Sequence, residues 1–183
     1  MRLLYCLAYA FMLRVPSELL PLSVDCNGMT ERDEASKVHA SIQTGAGTVR
    51  IHLASRKNAQ WGATLTRHCW CARSKLTCPV HTVLELCGEM ADGWAIFRGL
   101  TASAATKTLR RHLQSVGFTK VEEVTLHAFR RGHAQDMADS GSPLAEILGA
   151  GGWTSVAFAE YLQAHEIETK AVLETQLEES DSE

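Results

Sequence analysis

Apolar positions run almost unbroken from Leu3 to Leu13, between Arg2 and Arg14. The run is too short to span a bilayer and predicts a buried helix over residues 1–13 that ends near Arg14. It also resembles the apolar region of a signal peptide, but Arg14-Val-Pro-Ser-Glu follows it in place of a small-x-small cleavage site. Pro16 suits a first helical turn and predicts a second helix over Ser17–Leu22. Residues 28–47 are polar and hold three glycines, which predicts loop with at most a weak strand. Thr48–Ala54 alternates Val49, Ile51 and Leu53 with Arg50 and His52, the period of a half-buried strand. Arg56-Lys57-Asn58 then reads as a turn and Gln60–Arg67 as the returning strand. Helices follow over Thr82–Met90, over 101–116 with Gly117 as its stop, and over Leu126–Ser140 with Gly141 as its stop. Trp94–Arg98 reads as strand or loop. Pro143–Leu148, Thr154–Ala164 and the polar stretch from Ile167 to about Glu178 complete the helical pattern. The expected class is α+β, mainly α-helical, with a small antiparallel hairpin. One domain is expected over residues 1–165, followed by a polar helix and acidic tail over 166–183.

Length changes this picture little: 183 residues suffice for one domain with a substantial core. The net charge of −3 does not mark a nucleic-acid binder. Local charge does, because Lys107, Arg110, Arg111, Lys120, Arg130 and Arg131 fall within 25 residues. Clustered cations of this kind form a footprint for a phosphate backbone, with Lys107, Arg110, Arg111 and Arg131 as the expected DNA contacts outside the chemistry. A solvated helix face has the same composition. Beyond the opening run, no segment is apolar enough to suggest a membrane span.

Three motifs carry candidate chemistry. His127-Ala-Phe-Arg130 places an imidazole and a guanidinium on one helix face. Gly151-Gly152-Trp153-Thr-Ser-Val-Ala-Phe158-Ala-Glu-Tyr161 follows it, and Arg14-Val-Pro-Ser-Glu18 lies far upstream. In this order the motifs resemble the tyrosine recombinase (phage-integrase) family, in its eukaryotic mobile-element branch, over roughly residues 5 to 165. The resemblance implies the recombinase catalytic-domain fold and site-specific recombination or integration of DNA through a 3′-phosphotyrosyl link. It implies double-stranded DNA as partner and self-association on DNA. Arg14 matches the first catalytic arginine, Glu18 its supporting acid, and Lys57 the family lysine. His127 and Arg130 match the His-x-x-Arg pair, Trp153 a His-or-Trp position, and Tyr161 the nucleophile. Glu18 lies four residues after Arg14, where three is common, and Tyr161 eight after Trp153, where nine is common. A DNA-clamping domain usually precedes this fold, and it is expected to be missing from a chain that opens almost at the first catalytic helix.

The chemistry suits these residue types. Attack on a phosphodiester concentrates charge on the non-bridging oxygens, which two guanidiniums stabilise with paired donors. A phenol with a pKa near 10 needs its proton accepted, a task for His127. Lys57 can protonate the departing 5′ oxygen, and Trp153 can donate its indole N–H to the phosphate. The arginines do the charge work, so no cofactor is expected for catalysis.

Cys69-Trp-Cys71 and Cys78-Pro-Val-His81 supply three thiolates and an imidazole within 13 residues, a tetrahedral set for structural zinc in a knuckle over 69–81. Similar segments occur in the mobile-element branch. Reduced structural thiols, or a disulfide in a secreted chain, fit the same spacing. Cys6, on the apolar opening helix, reads as a small core residue. The alternatives to strand exchange are an inactive DNA-binding relic, a type IB topoisomerase-like enzyme and a zinc-stabilised interaction module. The expected location is nuclear in a eukaryote and cytoplasmic otherwise, with no secretion.

Overall fold

The computed structural model describes residues 1–24, 40–45, 47–56, 61–72, 74–87, 90 and 93–153. The predicted helices over Thr154–Ala164 and Ile167–Glu178 lie outside them, as does the 57–60 turn. The class is α+β: five α-helices and a four-stranded mixed sheet, among the described residues.

Helix α1 (Arg2–Ala10) is the centre of the core, because an apolar surface on most sides leaves it nowhere else to go. Leu4, Leu7, Ala8 and Phe11 are fully buried, and Cys6 is buried as expected. The helix ends at Phe11, three residues short of Arg14, and Met12 then takes a positive φ of 50°. The next turn is a π-turn over Val15–Leu19 with Pro16 in its first turn. It opens two residues before the predicted Ser17 and stops short of Leu22, because Leu22–Val24 is strand β1.

The predicted hairpin is present as β3 (Thr48–Leu53) and β4 (Ala63–His68), antiparallel with Leu53 opposite Ala63 and Thr48 opposite His68. Val49, Ile51 and Leu53 are buried and Arg50 exposed, so the alternation works as read. Two strands extend it. β2 (Ala40–Gly45) pairs antiparallel with β3, and β1 pairs parallel with β2. β2 lies within the segment read as mostly loop. Its polar sequence shows little period, yet Ile42 opposite Ile51 is buried, and pairing satisfies the backbone. Trp94–Ile96 adds an antiparallel bridge to the free side of β1 through Ser23 and Ala95.

Helix α2 (Pro79–Cys87) starts three residues earlier than Thr82, since Pro79 can open a helix without a missing donor. Helix α3 (Ala102–Ser115) is capped by the Thr101 hydroxyl, which accepts from the Ala104 N–H at 3.1 Å. Helices α4 (His127–Asp139) and α5 (Leu144–Gly151) follow. Gly117 and Gly141 stop α3 and α4 as expected. Met12, Ala134 and Ile147 form a second small core where the end of α1 meets α4 and α5, with Trp153 packed on it.

Candidate phosphate site and metal centre

The junction of α1, α4 and α5 gathers most of the expected catalytic residues. Arg130 sits one turn into α4, is only 2% exposed, and must therefore satisfy a buried guanidinium locally. One terminal nitrogen donates to the Met12 carbonyl at 2.6 Å and the other to the Gly151 carbonyl. The guanidinium carbon also lies 4.5 Å from the centre of the Trp153 ring. The left-handed backbone at Met12 turns that carbonyl out of the helical direction, and such strain persists only where surroundings enforce it.

Arg14 lies just past this turn with an extended backbone, and its side chain is 21% exposed. Glu18 anchors it twice: Oε1 accepts from the Arg14 guanidinium at 2.8 Å, and Oε2 from the Arg14 backbone N–H at 2.7 Å. The four-residue spacing thus closes a compact ring around the π-turn. His127 opens α4 and is exposed. Its pKa lies below the ordinary value through partial burial first, then through the positive charges of Arg130 and Arg14. Both arginines therefore act on one imidazole, which stays neutral and able to accept a proton at pH 7.

Arg56 also belongs to the site, although the pattern of the chain marked only its neighbour Lys57. Its side chain is 4% exposed, and its Nε donates to Glu18 Oε1 at 3.2 Å. One carboxylate oxygen thus bridges two guanidiniums, while Arg56 Nη2 is buried with no hydrogen-bond partner among the described residues. The other terminal nitrogen packs against Gly152, where an added Cβ would lie 2.8 Å away. Gly152 takes φ +62° at the end of α5, so glycine serves both the left-handed turn and the close approach. A Cβ at Gly151 would likewise land within the Trp153 ring. The Gly-Gly-Trp sequence is therefore a packing device: two bare backbones seat Arg56 and Trp153 on either side. Its only sequence signal is the glycine pair itself.

Lys57 and Tyr161 lie outside the described residues. Of the expected DNA contacts, Lys107 and Arg111 are exposed one turn apart on α3. Arg110 is committed elsewhere: it donates to the Val124 carbonyl at 3.0 Å, the Glu122 carbonyl at 2.7 Å and the Glu122 carboxylate at 2.7 Å. It braces the loop before α4. Arg131 is exposed and, with Lys120, Phe118 and His127, lines a depression of about 420 Å³ at the start of α4.

The cysteine cluster is a separate site, where β4 leaves the sheet and α2 begins. Cys69 follows β4 directly, its N–H bonded to the Gly47 carbonyl at 2.9 Å, and Cys78 precedes Pro79 of α2. Helical rise brings His81 back over Cys78. The four ligand atoms lie within 4.8 Å of one another. A tetrahedral centre with sulfur at about 2.3 Å and nitrogen at about 2.1 Å requires roughly 3.8 Å between sulfurs and roughly 3.6 Å from sulfur to nitrogen. Cys69 and Cys78 sulfurs are 3.8 Å apart, and His81 Nδ1 is 3.7 and 3.5 Å from them. Cys71 comes closer to Nδ1, at 2.9 Å. The Cys69, Cys78 and His81 separations match a tetrahedral set with Nδ1 as the nitrogen ligand, and Cys71 is near enough to complete it but closer to Nδ1 than that geometry requires. The thiols act strongly on one another: desolvation and the Cys69 and Cys78 sulfurs push Cys71 up to about 12. Burial also raises Cys78, but hydrogen bonds from His81, Trp70 and Cys71 outweigh it and bring Cys78 down to about 6.

No family model matches the chain, and no curated protein matches it. Among the described residues no helix is long and apolar enough to cross a membrane.

Proposed function

We propose that this domain has the tyrosine recombinase catalytic fold and cleaves and rejoins duplex DNA through a 3′-phosphotyrosyl link on Tyr161. The observation that carries the reading is the meeting of Arg14, His127, Arg130 and Trp153, from three separate stretches of chain, at one junction. Nothing in ordinary helix packing requires two arginines and a neutral histidine there, whereas a phosphodiester does. In the proposed reaction the Tyr161 oxygen attacks phosphorus and its proton passes to His127. The bond to the 5′ oxygen breaks, and Lys57 protonates that oxygen as it leaves. A free 5′ hydroxyl reverses these steps and reseals a strand. Arg14, the more open guanidinium, meets the non-bridging oxygens first. Arg130, held on the Met12 and Gly151 carbonyls beside Trp153, supplies the second positive charge. Self-association on DNA would pair two such sites for strand exchange.

Nicked suicide duplexes, which lose the 5′ fragment after cleavage, test the proposal. The wild-type chain is expected to give a protein–DNA adduct that survives detergent, and Tyr161→Phe to bind DNA with the same salt sensitivity but form none. Arg14→Ala should slow adduct formation by ~10²-fold or more. Adduct retained by Tyr161→Phe would reject the assignment. A second reading, a DNA-binding relic without chemistry, draws on one observation: Arg130 is buried with both terminal nitrogens on backbone carbonyls. It is the reading that remains if the wild type binds duplex and traps nothing. Relaxation of supercoiled plasmid without a partner site would instead mark a type IB topoisomerase-like activity.

For the Cys3His cluster we infer structural zinc, supported by the sulfur and nitrogen separations and by ligands that bracket two chain elements. Thiolate ligation belongs in a reducing compartment such as the nucleus or cytoplasm.

A further inference from the structure

Trp70 lies between two of the metal ligands, Cys69 and Cys71. Its ring stacks on His133 of α4, with centroids 6.4 Å apart and planes 23° apart. His133 also meets the Tyr9 ring of α1 edge-on at 4.6 Å, and the Tyr9 hydroxyl donates to Asp136, one turn further along α4. The knuckle is itself fastened to α1. The Cys6 thiol donates to the Thr77 carbonyl at 3.0 Å, and Arg2 to the Leu76 carbonyl at 3.2 Å. Arg67, two residues before Cys69, donates to the Ala10 carbonyl at 2.6 Å and lies over the Phe11 ring at 5.3 Å. His133 is one turn beyond Arg130, so the ring that Trp70 touches belongs to the helix carrying His127 and Arg130.

Resting on the metal reading above, we propose that the Cys3His centre seats α4 through Trp70, which is a positioning residue for the phosphate site. A metal bound by Cys69 and Cys71 fixes the backbone on both sides of residue 70, so the indole is held on His133 at little further entropic cost. Without metal, the 69–71 segment is free to turn Trp70 away, and α4 loses that contact while keeping those with α1 and α5. The metal centre then does more than close a loop: it sets how firmly His127 and Arg130 are presented.

Hydrogen exchange on the full chain, with zinc measured alongside, tests this. Four samples are compared: zinc-loaded wild type, chelator-treated wild type, and zinc-loaded Trp70→Ala and Trp70→Phe. The Trp70→Ala variant keeps all four ligands, so it reports even if the metal-free chain unfolds. Trp70→Ala should retain one zinc per chain yet speed amide exchange across 127–139 by roughly threefold to tenfold, with α3 unchanged. Trp70→Phe should restore most of the protection. Metal removal should loosen α4 at least as much as Trp70→Ala does. A zinc-loaded Trp70→Ala whose α4 exchanges like wild type would overturn this inference alone, as would equal loosening of α3 and α4. A wild-type chain that takes up no zinc would overturn the metal reading and this inference together.

Discussion

Glu18 does more than support Arg14. Its carboxylate is the counter-ion of both Arg14 and the buried Arg56. Removing one partner of a buried ion pair leaves a charge without compensation, at a cost of about 3–5 kcal/mol. Urea unfolding of Glu18→Ala should show a loss of that size, while Arg14→Ala, which removes the more exposed partner, should cost markedly less. Equal losses would mean that Arg56 does not depend on Glu18. His133 offers a second residue-scale test. It is held down to about 4 by burial first and by Arg67 second, with Asp136 opposing. A depressed histidine favours the folded state when neutral. Its contribution is therefore complete above the unfolded value near 6.5, is lost as pH falls through the window down to about 4, and is gone below it. The loss should amount to on the order of 3 kcal/mol between those limits. His133→Phe, which keeps a ring between Trp70 and Tyr9, should flatten unfolding free energy against pH across that window; an unaltered slope would assign the acid sensitivity to other groups.

At the scale of elements, the sequence was legible where one pattern had one cause. The β3–β4 hairpin, the stops of α3 and α4, and the burial of α1 all follow from periodicity and chain-terminating glycines. β1 and β2 were not legible as strands, because three residues and a polar six-residue stretch carry almost no period; neighbours, not propensity, make them strands. The same distinction divides the site. Arg14, His127, Arg130 and Trp153 could be named from motif order, and Cys69, Cys71, Cys78 and His81 from ligand spacing. Arg56 could not, since burial of a charge depends on Glu18 and Gly152 coming together from 38 or more residues away. Arg110, expected as a DNA contact from its place in a basic cluster, is braced on Glu122, which composition alone does not disclose. On the proposed zinc reading the metal joins the end of β4 to the start of α2, so Cys78→Ser should lower bound zinc and unfolding free energy together. Full zinc content in that variant would remove Cys78 from the ligand set.

Taken as a whole, the molecule has two centres sharing one helix. The Cys3His cluster meets α4 through Trp70 on His133, and Arg130, one turn into α4, is tied to the Met12 and Gly151 carbonyls. Net charge is slightly negative, so the proposed DNA binding rests on local cations rather than the field of the whole chain and is expected to weaken steeply with salt. The central claim is the proposed bond between Tyr161 and a 3′ phosphate, and mapping that bond tests it most directly. Adduct from a suicide duplex would be digested with nuclease and protease and its modified peptide sequenced by mass spectrometry. The account predicts a 3′-phosphonucleotide on the peptide containing Tyr161, and no modified peptide from the remaining tyrosines, Tyr5 and Tyr9. A nucleotide found on any other residue would contradict it.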